Sequence, residues 1–244
     1  MLDVGLSFPL GFVNDMAKET RIAGALSVYK KPATLRMLFL GFSSGLPLLL
    51  VLGTLGFWLR ESGVDLKTIG FMSWVGLCWG MKWLWAPLVD RLQLPYLTRT
   101  FGRRRAWLLL AQIGLMSSLG ALAFVNPARE LALTGFLAGA TAFFGATQDI
   151  AIDAYRIESG TEKEQAAFAA AYQTGYRIAM IWAGAGALAI AGAFESSLRG
   201  GWHVAYLTMS ASMLVGLITT LVSPTEPARG VAGSARSFSQ WIYE

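Results

Sequence analysis

The sequence predicts an all-α integral membrane protein with six transmembrane helices, and three observations carry that class. Hydrophobic residues make up 55% of the 244 residues and charged residues only 14%, with a mean hydropathy of +0.50. A soluble domain carries about 25% charged residues. Six apolar runs, each bounded by charges, are long enough to cross a bilayer core of about 30 Å as helices rising about 1.5 Å per residue. The basic residues also gather on alternate connections between those runs. Such a composition excludes a disordered chain and argues strongly against a soluble enzyme. The single cysteine, Cys78, excludes an internal disulfide framework, and the single histidine, His203, leaves no histidine-built metal site. The sequence contains no HExxH motif, Cys/His cluster or phosphate-cradling glycine loop. No cofactor is therefore expected, and an enzyme is the least favoured reading.

Residues 1–36 form an N-terminal tail. Its short apolar stretch is preceded by Asp3 and followed by Asp15, which is no signal peptide. Residues 21–36 read equally as an interfacial segment or as plain linker. The transmembrane domain covers 37–222. Its first span, 37–59, lies between Arg36 and Arg60; within it Gly41, Gly45 and Pro47 break the helix or kink it for packing. The second span, 69–88, runs from Lys67 to Asp90 and is crowded with Trp74, Trp79, Trp83 and Trp85. The third, 106–124, follows the cluster Arg103, Arg104 and Arg105. The fourth, 131–152, follows Arg129 and Glu130 and carries Gly135 and Gly139 at a helix-packing spacing. The fifth, 166–194, is overlong and should tilt or project. The sixth, 204–222, stops at Ser223 and Pro224, and His203 at its start reads as an interfacial anchor. Residues 223–244, rich in Pro, Gly, Ser and Ala, read as linker. The closing run 237–243 looks interfacial and leads nowhere, so the chain reads as interrupted there.

Six spans put both termini on one side. That side carries Lys18, Arg21, Lys30, Lys31 and Arg36, then Arg91, Arg99, Arg103, Arg104 and Arg105, then Arg156, Lys163, Arg229 and Arg236. The other side carries only Arg60, Lys67, Arg129 and Arg199. By the positive-inside rule both termini are cytoplasmic. The basic pI of about 9.5 thus reflects topology, and no nucleic-acid partner is expected.

Ionisable groups inside spans are the sharpest functional signal in such a chain. Lys82 lies in the second span and Arg177 near the middle of the fifth. Asp149 and Asp153 end the fourth span, four residues apart on one helix face. Gln148, Tyr172, Gln173 and Tyr176 add neutral polarity. One reading is a polar cavity in which Arg177 or Lys82 holds an anionic group and an aspartate carries a coupling proton. In the other, Lys82 snorkels to the headgroups and the aspartates form a helix-end pair that contacts loop arginines. Arg177 is too deep to snorkel easily.

Several stretches together resemble one family. They are Gly41-Phe42-Ser43-Ser44-Gly45-Leu46-Pro47, Gly63-Val64-Asp65-Leu66-Lys67-Thr68-Ile69-Gly70 and Lys82-Trp83-Leu84-Trp85-Ala86-Pro87-Leu88-Val89-Asp90-Arg91. Further on come Gly102-Arg103-Arg104-Arg105-Ala106-Trp107, Gln148-Asp149-Ile150-Ala151-Ile152-Asp153-Ala154-Tyr155-Arg156, Gly175-Tyr176-Arg177 and Gly201-Trp202-His203-Val204-Ala205-Tyr206. As a set they resemble the AmpG-type muropeptide permeases, in the peptide/acetyl-coenzyme A/drug transporter branch of the major facilitator superfamily. The resemblance implies the N-terminal half of a major facilitator fold, with spans 1–3 and 4–6 as an inverted repeat pair. It also implies a second six-helix half and a bacterial inner-membrane carrier that imports anhydromuropeptides with protons. By position, Lys82, Asp149, Asp153 and Arg177 match the family's charged span residues, and Asp90, Arg91 and Arg103 match its cytoplasmic gate loop. The sequence departs from the pattern at His203, where an arginine is usual, and in the long stretch between Asp90 and Gly102.

The expected function is proton-coupled import of anhydromuropeptides. Lys82, Asp149, Asp153, Gln173, Tyr176 and Arg177 would line the substrate and proton pathway. Asp90, Arg91 and Arg103 would gate it, through pairs of Arg91 or Arg103 with Asp149 or Asp153. The rivals are a carrier for acyl-coenzyme A or drugs, and a non-transporting six-helix membrane scaffold.

Overall fold

The computed structural model describes residues 29–197 and 200–225, and all regular structure among them is helical. The tail 1–28, the linker 226–244 and its closing run 237–243 lie outside the described residues. Five helices are long and apolar enough to cross a membrane: α1 (Pro32–Glu61), α6 (Arg103–Leu122), α7 (Leu131–Glu158), α8 (Glu162–Ala193) and α9 (Gly201–Val222). Between α1 and α6 the second predicted span is a string of short pieces, α2 (Leu66–Met72), α3 (Leu77–Gly80) and α4 (Ala86–Arg91), followed by α5 (Leu97–Phe101).

Local chemistry sets these boundaries. α1 starts on Pro32, whose missing donor costs nothing in a first turn. It therefore begins five residues before the apolar run. α2 is capped by Asp65, which accepts from the Thr68 amide at 3.0 Å. α8 opens with a capping box in which Thr161 and Glu164 satisfy each other's backbone amides. Gly102 and Gly200 adopt φ of +83° and +84° immediately before α6 and α9, which turns the chain into each helix. α7 runs six residues past its apolar run, because Asp153, Arg156 and Glu158 end the hydrophobicity without ending the helix.

The second span breaks for a steric reason. Residues Ser73–Gly76 and Lys82–Leu84 tighten into 3₁₀ turns, and the Pro87 ring would clash with the carbonyl four residues back in a continuous helix, so α4 starts afresh with Pro87 in its first turn. Phe71, Trp74, Trp83 and Leu88 are more than half exposed there, whereas Val89 is buried.

α1 sits at the centre of the bundle. It packs along α8 and also touches α7 and α9, while α6 packs along α7. The first and fifth spans meet through glycines. A Cβ on Gly41 would strike the Tyr172 backbone, one on Gly45 the Tyr176 backbone, and one on Gly175 the Leu38 carbonyl. In lipid such close packing, rather than burial from water, holds helices together. Pro47 does not break α1. The helix widens into a π-turn at Leu50–Thr54, beside a second π-turn at Trp182–Gly186 in α8. Thr54 Oγ1 donates to the Ala183 carbonyl at 2.7 Å, and Tyr206 Oη donates to the Leu50 carbonyl at 3.1 Å. Carbonyls loosened by the wider turns thus regain partners.

Candidate functional site

α1, the broken second span, α7 and α8 converge on one polar cluster. Gly41, Gly45 and Gly175 let α1 and α8 touch backbone to backbone, which brings Ser44 between α7 and α8. Ser44 Oγ donates to Asp149 Oδ1, and the same oxygen lies 2.8 Å from the Tyr172 hydroxyl. Ser44 is 1% exposed and Asp149 8% exposed, so the carboxylate is enclosed by protein. Asp149 sits nine residues before the end of α7, about 13 Å along the helix. One turn on, Asp153 Oδ2 lies 3.8 Å from Lys82 Nζ, and its Oδ1 lies 3.4 Å from Arg156 Nη2. The Arg156 guanidinium in turn stands 5.8 Å from the centre of the Tyr172 ring, and the Tyr176 ring is 6.1 Å from that of Tyr172. Trp85 Nε1 donates to Thr147 Oγ1 at 3.1 Å and ties the second span to α7.

Four of the pathway residues named from sequence, Lys82, Asp149, Asp153 and Tyr176, therefore gather here. Gln173 and Arg177 do not join them. Both are exposed on α8, and Arg177, whose Nη1 is 4.0 Å from Met180 Sδ, makes no ion pair among the described residues. Sequence reasoning singled out neither Ser44 nor Arg156. A serine in an apolar run carries no signal of its own, and its partner lies 105 residues away.

The expected pairing of Arg91 or Arg103 with Asp149 or Asp153 does not form in this structure. Asp149 is held by Ser44, and Asp153 by Lys82 and Arg156. The helical start at Arg103 fans the three arginines about 100° apart, so each faces a different neighbour. Arg104, buried, takes Asp90 through Nη1 at 2.5 Å and Glu158 through Nη2 at 2.9 Å. Arg105 donates through Nε to the Thr220 carbonyl at 2.9 Å and through Nη2 to the Leu221 carbonyl at 2.7 Å, which caps the end of α9. Arg91 is exposed and Arg103 half-buried. Asp90 thus keeps a charged partner, the middle arginine of the cluster.

At the opposite end Trp58 and Trp202 stack with ring centres 6.1 Å apart, and Trp202 Nε1 donates to Glu61 at 2.5 Å. His203 bonds the Ala123 carbonyl. A groove of about 590 Å³ lined by Leu52, Gly70, Ser73, Trp74, Gly76 and Leu77 contains none of the charged residues. Among the described residues no group of three or more His, Cys, Asp or Glu side chains is arranged to hold a metal.

Comparison with known proteins agrees with this architecture. The family model described as acetyl-coenzyme A transporter 1 matches residues 34–128. The anhydromuropeptide permease of Escherichia coli K12 is 40% identical over 199 residues, 82% of this chain and 39% of the relative. An uncharacterised protein of Haemophilus influenzae is 35% identical over 84% of this chain and 46% of its own length. The protein named AmpG 4 in Rickettsia felis is 32% identical over 88% of this chain and 51% of its own length. The chain therefore spans about half the length, or less, of these relatives. Five helices fit to cross a membrane, together with relatives named as permeases and transporters, make it a multi-pass membrane protein. By its sequence the chain belongs to the AmpG-type permease family.

Proposed function

We propose that this chain supplies part of a proton-coupled importer of anhydromuropeptides, carrying them from periplasm to cytoplasm across a bacterial inner membrane. Both termini would be cytoplasmic, following the basic loops, and a second six-helix half would complete the pathway. One observation carries the reading. Asp149 is an enclosed carboxyl group inside a membrane helix, held by a hydroxyl chain and flanked by the Lys82–Asp153 pair. Such a group is costly in a membrane and is retained where it moves charge or protons. Its chain belongs to the family whose Escherichia coli relative is named for anhydromuropeptides.

In this reading Asp149 binds the coupling proton. Lys82 and Asp153 form a breakable pair at the rim, since both are more than a third exposed and worth about 1 kcal/mol or less as a pair. Arg177 and Gln173 offer a cation and an amide to an anionic substrate group, and Tyr176 adds a hydroxyl. Asp90, Arg91 and Arg103 belong to the cytoplasmic gate, in which Arg104 holds Asp90 in the present conformation.

The test is uptake of labelled anhydromuropeptide by cells expressing the complete reading frame, with and without an imposed pH gradient. Gradient-driven accumulation lost in Asp149→Asn at unchanged expression supports the reading; uptake indifferent to the gradient and to that substitution sinks it. A second reading is favoured by the acetyl-coenzyme A transporter model that matches residues 34–128. Acyl-coenzyme A that competes where muropeptide does not would select it. No solute movement at all would leave the membrane scaffold.

A further inference from the structure

The Ser44 hydroxyl stands between two groups that cannot both receive its proton. A serine hydroxyl has one proton to donate and two lone pairs to accept with. Ser44 Oγ donates to Asp149 Oδ1. Its only way to bond Tyr172, 2.8 Å away, is then to accept, so the Tyr172 proton points at Ser44. The chain runs from Tyr172 to Ser44 to Asp149.

We propose that this chain is a polarity switch: protonating Asp149 reverses it and frees the Tyr172 hydroxyl proton for an acceptor oxygen of the substrate. The new proton sits on the Asp149 carboxyl and is donated to Ser44 Oγ. The Ser44 proton turns to the Tyr172 oxygen. Tyr172 then keeps its own proton but aims it elsewhere. Only Asp149 gains a proton; the two hydroxyls rotate, and no covalent bond on Ser44 or Tyr172 changes. Tyr172 is the binding residue, and Ser44 is the positioning residue that reports the state of Asp149 to it.

The surroundings suit such a switch. Around Asp149 the titratable and charged groups are Lys82 from the second span, Asp153 and Arg156 from α7, and Tyr172 and Tyr176 from α8. α1 contributes the neutral Ser44, and Arg104 of α6 is engaged with Asp90 and Glu158 at the end of α7. Tyr172 is the member of the chain that lies on α8 beside the other residues expected along the pathway there. Its ring lies under Arg156, beside Tyr176, and on the same helix as Gln173 and Arg177. A donor that appears only after Asp149 is protonated would couple proton binding to substrate binding in a way that ion pairs alone do not. The inference rests on the transport reading for its meaning and on geometry for its existence.

Infrared difference spectroscopy on the full chain in lipid tests it, comparing neutral and acidic buffer with ring-labelled tyrosine. The expected result is a protonated-carboxyl band that disappears in Asp149→Asn, accompanied by a shift of a tyrosine C–O band. That tyrosine shift should be lost in Tyr172→Phe and in Ser44→Ala while the carboxyl band remains in both. Ser44→Cys keeps a group at the same position but one that donates and accepts only weakly, and should lose the shift as well. A carboxyl band with no tyrosine change, a tyrosine shift that survives in the Ser44 variants, or no band assignable to Asp149 overturns the proposal. Uptake measured on the same variants separates the two claims. A spectral switch without uptake refutes the transport reading alone, and coupled uptake without the switch refutes this one alone.

Discussion

Gly175→Ala should damage this protein more than any other single methyl group added to a glycine of α8. A Cβ at Gly175 would come within 2.9 Å of both the Leu38 carbonyl carbon and the Phe42 nitrogen, and closer still to the Leu38 oxygen. Ordinary carbon contacts are about 3.5 Å, so the shortfall is about 0.6 Å for the first two atoms and larger for the oxygen. All three belong to the backbone, so no rotamer change relieves the clash, and α1 must part from α8. Overpacking of this kind costs about 1–3 kcal/mol. Gly192 in the same helix provides the control, because a Cβ there meets nothing within 4 Å. Alanine is favoured over glycine in a helix interior by about 0.8–1.0 kcal/mol, so Gly192→Ala should be neutral or stabilising. Helix propensity enters both changes alike, so the two variants should separate by the overpacking cost, about 1–3 kcal/mol. Thermal unfolding of the purified chain in detergent measures it. If Gly175→Ala melts with Gly192→Ala, the backbone-to-backbone seam between α1 and α8 is wrong, and with it the placement of Ser44.

The remaining predictions concern the ends of the helices. Arg104→Ala strands Asp90 and Glu158, whose side chains are 48% and 22% exposed. Solvent reaches both, so the cost should be about 1–3 kcal/mol rather than that of a fully buried pair, whereas Arg103→Ala should stay within about 0.5 kcal/mol by the same unfolding assay. Trp202→Phe keeps the stack on Trp58 but loses the bond to Glu61, a loss of about 1 kcal/mol that Glu61→Gln should largely avoid. Asp65, outside the spans, is held below the usual carboxylate range by its bonds from the Thr68 hydroxyl and amide. A depressed value makes its contribution present above the unfolded pKa and lost as pH falls through the folded one. Hydrogen exchange at the start of α2 should accelerate on acidification in the wild type, and Asp65→Ala should remove that acid dependence.

The spans were legible because lipid leaves only apolar length and flanking charge to read. Where a helix differs from its apolar run, a polar residue or a proline acts according to its context. The run 131–152 ended where hydrophobicity ended, but α7 continues to Glu158 because its last turns carry ion pairs rather than lipid contacts. The run 69–88 is apolar apart from Lys82, yet Pro87 and two 3₁₀ turns divide it, and hydropathy is blind to the clash of a proline ring with the turn before it. The resemblance places Arg103 in the gate loop by position, and a position in sequence does not say which of three adjacent arginines reaches Asp90. The helix start at Arg103 decides which of them faces Asp90, and that phase is a property of the fold.

Asp149 illustrates the same division within the site. As a carboxylate in an apolar run it announces itself, and its spacing from Asp153 gives the shared face. What makes it tolerable there is not another charge, which a search for ionisable residues would find, but a hydroxyl brought in by glycines. Without Gly41, Gly45 and Gly175 the two helices would stand apart, and Ser44 would not reach both Asp149 and Tyr172. The glycines therefore do two things at once: they pack α1 on α8, and they set the length of the hydrogen-bond chain. Widening that seam should impair the chain before it unfolds the bundle, because the chain tolerates a few tenths of an ångström whereas α1 retains α7 and α9 as neighbours. A Gly45→Ala variant that still unfolds cooperatively, at a lower temperature, but has lost the tyrosine response to acid while folded would separate the two roles. If the response survives while the seam is widened, the glycines serve packing alone.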